Sequence, residues 1–457
     1  ELFSPEHRIG LWRDLWIALA EAERELGIPI TAAQVAELRK HKDKVNWDVA
    51  ERREKEIRHD VMAHVYAYGV QCPKAAGIIH LGATSSFVTD NADLIVFRDG
   101  LKIVAGKLAA TIDRLAIFAA RTRNLATVAF THFQAAQPTT VGKRTCLWLQ
   151  NFTMDLALLE FELSELRCHG VKGATGTQDS FLKLFDGDKK KVMELDRRIT
   201  EMMGFKHSFP VTGQIYPRKT DTRIVSVLAS ICESASKFAG DMRLLQGLHE
   251  VEEPREQEQV GSSAMPYKQN PMRCERITAL SRYVMNLVGN CYQTAATQWF
   301  ERSLDDSANR RLVLSHAFLV CDAVLDLMVN VASGLKVQEG VIRQHLDQEL
   351  PFFQTEEVLM AAVRSGGDRQ ALHEKISKHA RDAVREIRER GAVNDLLARI
   401  RRDPAFRNVP PKLLVRADPL RLVGTSAEQV DAFLKDVVDP IRKKYRSALR
   451  YRPTIRV

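Results

Sequence analysis

The sequence predicts an all-α fold of three helical domains, centred on a bundle of about five long helices. Apolar residues recur at helical spacing along most of the 457 residues. Five segments continue this pattern long enough to form helices of roughly 40 Å, at ~1.5 Å per residue. Alternating Val, Ile and Thr patterns, which would indicate strands, are nearly absent.

The first predicted helix carries apolar residues at helical spacing, namely Ile9, Trp12, Leu15, Trp16, Leu19 and Leu26. Gly27 and Pro29 predict its end, because neither residue readily continues a helix. The stretch 31–34 reads TAAQ, which has the spacing of a capping box. A second helix is therefore predicted to start there.

Five longer helices are predicted at 91–123, 138–169, 220–250, 271–298 and 307–334. Asp90 or Asn91 is expected to cap the first, and Pro138 suits the first position of the second. Helices of this length need partners for their apolar stripes. We therefore predict an N-terminal helical domain at 1–84, a central long-helix bundle at 85–335 and a C-terminal helical domain at 336–457.

Composition narrows the class of protein. The formal charge is +9 and the pI is near 9.1, but the basic residues are mostly interleaved with acidic ones, which is typical of solvated helix faces. This argues against a nucleic-acid binder. The seven cysteines are scattered without a CxxC pair, which favours reduced thiols in a cytoplasmic protein. No apolar run long enough to span a membrane and no signal peptide are expected.

The loop at 261–270 is unusual, because it combines Gly, Ser, Met, Pro and a single Lys and leads directly into a helix. Asn270 and Pro271 suit a helix start, where free N–H groups and the helix dipole favour an anion. Lys268 would add a full positive charge. The alternative is a well-capped connection with an exposed lysine.

Other polar segments carry candidates of the same kind. His59 and His132 are predicted near helix ends, where a structural role is the alternative. The segment 302–311 offers three arginines beside two acids, which suits either an anion site or a salt-bridged helix start. No metal-ligand spacing, phosphate-binding loop or GxGxxG motif is present, so no metal and no cofactor are expected. Together the loops indicate a cationic pocket for an anionic small molecule.

The stretch GSSAMPYKQNP at 261–271 resembles the signature loop of the fumarase/aspartase superfamily, GSSxMPxKxNP. THFQAAQPTT and HLGATSSFVTDN resemble two further regions of that superfamily. More narrowly, RHDVMAH, KAAGIIHLGATS, GATGTQ and WFERSLDDSANRR resemble the adenylosuccinate lyase family of the animal type. The resemblance covers nearly the whole chain.

The resemblance implies an activity and an assembly. Members of this family cleave a C–N bond by β-elimination and release fumarate. Their substrates are adenylosuccinate and the succinylated aminoimidazole carboxamide ribotide, both anionic purine nucleotides or precursors. The implied assembly is a homotetramer with a twenty-helix core, in which active sites are shared between subunits.

The resemblance also implies roles for individual residues. Ser262 would be the general base that takes the Cβ proton, and His132 the general acid on the leaving nitrogen. The implied substrate-binding residues are Arg58, His59, Asp60, Thr84, Ser85, Gln214, Lys268, Asn270, Arg276, Arg302, Ser307 and Arg311. A serine hydroxyl is a poor base, so its alkoxide would need the field of the helix start and Lys268.

The chain departs from the family pattern at three places. Gln269 stands where this branch usually has Arg, and Ala135 replaces a usual Pro. An N-terminal Arg-Tyr pair that binds phosphate has no equivalent, and we expect a preceding segment to be missing because the chain begins at Glu1. Alternatives that remain are another fumarate-releasing lyase, such as argininosuccinate lyase, an inactive helical scaffold, and a basic nucleic-acid binder.

Overall fold

The computed structural model describes residues 1–256, 264–265 and 267–455, and α-helices dominate it. This confirms the predicted all-α class. The α-helices in chain order are α1 (Pro5–Glu25), α2 (Ala32–His41), α3 (Trp47–Ile57), α4 (Asp60–Gln71), α5 (Ser85–Arg121), α6 (Val141–Glu165), α7 (Asp179–Leu184), α8 (Lys189–Met202), α9 (Lys219–Gly247), α10 (Met272–Ala296), α11 (Asp306–Gly334), α12 (Glu339–Phe353), α13 (Thr355–Arg364), α14 (Arg369–Arg390), α15 (Leu396–Arg402), α16 (Ser426–Phe433) and α17 (Asp439–Lys444).

Two short antiparallel strand pairs accompany the helices. β1 (Ala126–Thr131) pairs with β2 (Gln134–Thr140), and β3 (Val251–Glu252) pairs with β4 (Lys336–Val337). The sequence predicted no strand at 126–140, and it placed a helix start at Pro138, so the β1–β2 hairpin departs from that expectation. Sequence alone did not indicate β2, because it contains two alanines and a proline, which have low strand propensity.

Two of the predicted helix boundaries were also wrong. Pro138 lies in β2 opposite Val128, and α6 begins at Val141 after Thr140, whose hydroxyl accepts a hydrogen bond from the N–H of Lys143 (3.1 Å). α5 begins at Ser85, so Asp90 is not its cap. Asp90 is buried within the helix, where Arg218 binds its carboxylate.

The chain divides into two compact units. The first contains residues 1–105, 155–233 and 280–323, and the second contains 106–154, 234–279 and 324–457. The long helices α5, α6, α9, α10 and α11 each contribute residues to both units. The predicted division into three consecutive domains is a different partition of the chain, and it stays a prediction.

The first unit has an aromatic-rich core. Trp12, Trp16 and Tyr68 are buried there, with the two indole rings 6.4 Å apart in an edge-on arrangement. Gly27 adopts a positive φ of 101° just after α1, as predicted for its end. The capping box of α2 is confirmed, since the side chains of Thr31 and Gln34 each bind the other residue's backbone N–H.

The second unit contains a separate aliphatic core near the C-terminal end of the chain. Leu372 and Ile376 of α14, Leu396 of α15 and Phe406 are all buried in it. Asp368 caps α14 by accepting the N–H of Ala371 (2.8 Å).

The expectation that no segment is long and apolar enough to cross a membrane is wrong for α11. Its best 18-residue window has a mean hydropathy of 2.0, but 56% of that window is buried inside the protein. A core helix passes the same test of length and composition, so the length and apolarity of α11 are weak evidence for a membrane span.

Glu23 of α1 is a buried acid with an unusual environment. The residue has no exposed surface, and both carboxylate oxygens are without a hydrogen-bond partner in the described part of the chain. Burial raises the pKa of Glu23 to about 9. The folded protein therefore retains a proton at Glu23 that the unfolded chain releases near pH 4.5.

We expect the Glu23→Gln variant to become progressively more stable than the wild type as pH rises from 5 to 8.5. The raised pKa means that Glu23 contributes its full stability below about pH 4.5 and loses it up to about pH 9, by about 1.4 kcal/mol per pH unit. Urea unfolding at several pH values measures this difference. Glu6→Gln, an exposed change in the same helix, is the control, and a pH dependence of Glu23→Gln no larger than that of the control would contradict the prediction.

Candidate functional site

The predicted site residues come from both units. Those in the first unit are Arg58, His59, Asp60, Thr84, Ser85, Gln214, Arg302, Ser307 and Arg311. Those in the second unit are His132, Lys268, Asn270 and Arg276. Ser262 lies outside the described residues.

The turn between α3 and α4 places three predicted residues together. Arg58 ends α3 in a left-handed conformation, with a φ of 55°. His59 then caps α4, because its Nδ1 accepts the backbone N–H of Met62 (3.4 Å). With Nδ1 as acceptor, the neutral ring carries its proton on Nε2, which lies 3.2 Å from Ser85 Oγ. The turn thus joins His59 to the start of α5.

The start of α11 faces the same turn. A carboxylate oxygen of Asp60 lies 3.8 Å from the guanidinium of Arg311, whose side chain is 64% exposed. Ser307 and Arg311 are four residues apart, so they share one helix face. The structure therefore brings His59, Asp60, Ser85 and Arg311 together within the first unit.

A different face of the same helix turn is buried. Asp306 is the first residue of α11 and has a fully buried side chain. It accepts hydrogen bonds from Arg302 (2.8 Å) and from Arg218 (2.7 Å), and Arg218 also binds Asp90 (3.1 and 3.2 Å). Burial alone would raise the pKa of Asp90, but the charges of Arg218, His169 and Arg310 outweigh it and lower the pKa. The salt-bridge interpretation of 302–311 is therefore confirmed for Asp306.

Arg310 forms a second buried cluster next to the first. Its guanidinium binds Asp221 (2.6 Å) and Asp93 (3.0 Å), and it also donates to the Tyr216 hydroxyl. Tyr216 in turn donates to Asp221 (2.6 Å). The start of α11 is thus held to α5 and α9 by ionic contacts on one face, while Ser307 and Arg311 lie on another.

Gln214 belongs to a group of closely stacked loops. Its backbone N–H donates to the carbonyl of Glu301 (3.0 Å), and its side-chain amide donates to the carbonyl of Ala174 (3.2 Å). A Cβ on Gly213 would lie 2.5 Å from the Glu301 oxygen, and one on Gly176 would lie 1.9 Å from the Thr212 oxygen. Only glycine permits these approaches, which fix the backbone immediately before Gln214.

His132 lies at the tip of the β1–β2 hairpin. His132 and Phe133 are the two turn residues, with φ values of 54° and 56°. Two positive φ angles are what a type I′ hairpin turn requires, but such turns usually contain Asn and Gly. Both side chains are exposed, and the Phe133 ring contacts Phe130 with ring centroids 5.7 Å apart. The imidazole therefore projects from a short and strained turn.

The base of the hairpin is fixed by a buried acid. Glu250 has no exposed side-chain surface and accepts hydrogen bonds from Thr127 (3.3 Å) and His345 (2.8 Å). The Arg144 guanidinium is 3.7 Å from the same carboxylate and donates to the carbonyl of Val128. α12 packs against β1 on this side. A rigid base thus supports the exposed tip.

The start of α10 differs from the expectation of free N–H groups. The backbone N–H groups of Arg273 and Cys274 both donate to the carboxylate of Glu253, at 2.9 Å each. Glu253 is buried, and the Arg273 side chain also holds this segment by donating to Pro254 and Glu256. An internal anion therefore occupies two of the N–H groups that were predicted to receive a ligand.

The remaining predicted residues of the second unit lie around this helix start. Lys268 and Arg276 are exposed, and the Asn270 carbonyl accepts the N–H of Met272 (2.9 Å). Gln269, where a basic residue was usual, holds the Gln246 amide through its backbone carbonyl (3.0 Å). Ala135 lies opposite Phe130, immediately after an irregularity in the strand register.

Sequence reasoning missed Arg218, Glu250 and Glu253. Each is a charged residue in a polar segment, and its partner lies far away along the chain. Among the buried charged residues near the site, only Asp306 and Arg310 were indicated by the sequence. Their four-residue spacing places them on one face of a predicted helix.

The chain matches the family model described as "Lyase" over residues 16–286 and the one described as "Adenylosuccinate lyase C-terminus" over residues 351–433. It is 47% identical to adenylosuccinate lyase of Schistosoma mansoni, covering 100% of this chain and 95% of that protein. It is 46% identical to adenylosuccinate lyase of Schizosaccharomyces pombe, covering 98% and 94%.

A solved structure is similar along nearly the whole length. 3-Carboxy-cis,cis-muconate lactonizing enzyme from Pseudomonas putida has a TM-score of 0.82 and 23% identity, covering 97% of this chain and 96% of that one. At this identity the likeness shows the fold alone.

We expect Glu253→Gln to destabilise the protein by about 2 kcal/mol, because it removes the charge that accepts two N–H groups at the start of α10. Urea unfolding at constant pH measures the change. Glu275→Gln alters an exposed acid in the first turn of the same helix and should cost about 0.3 kcal/mol. Equal effects of the two variants would contradict the assignment of Glu253 as the internal anion.

Proposed function

This chain belongs to the adenylosuccinate lyase family, and on that premise we propose that it eliminates fumarate from adenylosuccinate, giving AMP. We propose the same elimination for the succinylated aminoimidazole carboxamide ribotide. The observation that carries the proposal is the convergence of His59, Asp60, Ser85 and Arg311. These side chains come from three separate segments and had each been predicted to bind substrate.

The proposed reaction begins at the succinyl Cβ. Ser262, as the alkoxide, takes the Cβ proton, and the electron pair left on Cβ delocalises into the adjacent carboxylate. The C–N bond then breaks, and the electrons that leave with nitrogen are neutralised by a proton from His132. The products are fumarate and the free amine of the nucleotide, so atoms and charges balance.

In this proposal, Lys268 supplies most of the electrostatic stabilisation of the alkoxide and of the intermediate. Glu253 occupies the N–H groups of Arg273 and Cys274, and its charge opposes the field of that helix start. An ammonium group near the serine and the substrate carboxylate favours both the alkoxide and the dianionic intermediate. Neutralising Lys268 should therefore remove a larger share of the electrostatic stabilisation than the loop sequence alone suggested.

The other predicted residues complete the proposed site. Thr84, Ser85, Lys268 and Asn270 bind the succinyl carboxylates, and the turn at 58–60 lines the nucleotide or phosphate region. The remaining substrate contacts are Gln214, Arg276, Arg302, Ser307 and Arg311. His132 acts as general acid, which is typically worth about 10²–10⁴ in rate.

We propose that the protein works as a homotetramer whose active sites combine residues of several subunits. Support comes from the surface of α6, where large apolar side chains are exposed at spacings of seven, four and three residues. They are Leu147 (58%), Met154 (64%), Leu158 (44%) and Phe161 (57%). This is the periodicity of a helix-packing seam, and a soluble monomer rarely leaves such a stripe uncovered.

A cytoplasmic location is part of the proposal. The seven cysteines are free in the structure, and six of them are buried. Such unpaired thiols are typical of a reducing compartment.

The direct test follows the ultraviolet spectrum of the wild-type protein with adenylosuccinate and, separately, with argininosuccinate. We expect the absorbance change of AMP formation with the first substrate and no fumarate release with the second. Turnover of argininosuccinate alone would replace the proposed function with the related lyase reaction. Turnover of neither substrate by folded protein would favour an inactive scaffold.

We expect Ser262→Ala and His132→Ala each to fold and to lose turnover by about 10²-fold or more, because each removes a proton-transfer group. Circular dichroism and steady-state assays measure folding and turnover.

Mixing the two inactive variants under conditions of subunit exchange should restore part of the activity if the sites are shared. Full activity of Ser262→Ala would contradict the proposed base, whereas no recovery from well-exchanged mixtures would contradict the shared sites.

A further inference from the structure

We propose that Arg218 is a positioning residue that sets the orientation of Arg302 through the shared carboxylate of Asp306. This inference rests on the proposed function, in which Arg302 contacts the substrate. Arg218 itself is buried, with 2% of its side chain exposed, so its role is carried through a neighbour.

The contacts form a continuous series. One oxygen of Asp306 accepts from Arg302 (2.8 Å), and the other accepts from Nε of Arg218 (2.7 Å). The terminal nitrogens of Arg218 then bind the two oxygens of Asp90, at 3.1 and 3.2 Å. Arg218 therefore binds Asp306 through Nε and Asp90 through its terminal nitrogens. Rotation of the Asp306 carboxylate would break its hydrogen bond to Arg218 or to Arg302.

Exposure changes along this series. The side chains of Arg218, Asp90 and Asp306 are 2%, 3% and 0% exposed, whereas that of Arg302 is 23% exposed. Arg302 is thus the end of the series that reaches solvent. Its flexible side chain would otherwise lose rotamer freedom when it binds a substrate, and a fixed carboxylate reduces that loss before binding.

The position of Arg218 is itself fixed from two sides. Its guanidinium carbon lies 4.4 Å from the centre of the Tyr216 ring, and the backbone N–H of Tyr216 donates to Asp90 (3.0 Å). A planar guanidinium can stack on a ring and bind two carboxylates at once. A lysine ammonium keeps the charge but lacks this geometry.

The test is a double-mutant cycle in the full-length protein, with adenylosuccinate as substrate. We expect Arg218→Lys to raise KM by about 3- to 30-fold in the wild-type background while kcat changes less. In the Arg302→Met background, which already has a raised KM, Arg218→Lys should change KM less than twofold. A purely structural defect would instead lower the active fraction, and hence the apparent kcat, equally in both backgrounds.

Asp306→Asn supplies a second variant, since it keeps the side-chain size but leaves a single acceptor oxygen for the two arginines. We expect the same dependence on Arg302. Arg13→Lys is the matched control, because Arg13 is also buried but binds the carbonyls of His41, Lys42 and Lys44 and the side chain of Gln71. It should leave KM unchanged.

Equal fold-changes of KM for Arg218→Lys in the two backgrounds would overturn the positioning role while leaving the lyase function intact. An unchanged KM for folded Arg218→Lys would do the same. Lack of wild-type turnover with adenylosuccinate would instead overturn the proposed function, and with it any role of Arg218 in this reaction.

Discussion

The buried pairing of Arg218 with Asp90 and Asp306 is the interaction on which the first unit most depends. Removing a guanidinium and two carboxylates from water costs several kcal/mol per ion, and only close pairing with hydrogen bonds offsets that cost. Loss of any one partner leaves an uncompensated charge among buried side chains, which typically costs about 3–5 kcal/mol. Because the three residues come from α5, the segment before α9 and the first residue of α11, these elements cannot shift independently. The half-buried Ser307 and the exposed Arg311 therefore lie on a helix start whose opposite face is fixed by these ion pairs.

The sequence predicted the helices well because their signals are local. The end of α1 at Gly27 and the capping box at Thr31 depend on residues within one turn, so they could be identified without knowledge of the fold. The β1–β2 hairpin could not, because its stability depends on Glu250 and Arg144, which lie outside it in sequence. Pro138 was misleading for the same reason: proline suits a helix start and also an edge strand such as β2, and only the tertiary environment decides between them.

In the candidate site, too, the sequence predicted residues that belong to a motif and missed residues whose role depends on tertiary contacts. The residues that cluster in the first unit were found because a specific motif names them individually. Glu253 was not found, although it changes the electrostatics of the α10 start, because it lies 20 and 21 residues before the two N–H groups it binds. An acid in a stretch rich in Glu and Gln gives no sign that it will be buried. The electrostatic field at a helix start therefore depends on its surroundings as well as on the helix. A neighbouring carboxylate can already bind the N–H groups that would otherwise attract a ligand.

The hairpin tip shows how the fold can hold an exposed side chain in one direction. Left-handed conformations cost roughly 1–2 kcal/mol for residues other than glycine, and His132 and Phe133 both adopt them. A turn of Asn and Gly would remove that cost but could not supply an imidazole. A longer loop would relieve the strain too, yet it would allow the imidazole many orientations and so reduce the probability of proton transfer. The buried Glu250 cluster makes the short turn possible, because it stabilises the strands strongly enough to offset an unfavourable tip. In the mechanism proposed for this chain, the strained turn therefore keeps the proton donor His132 both exposed and restricted in direction.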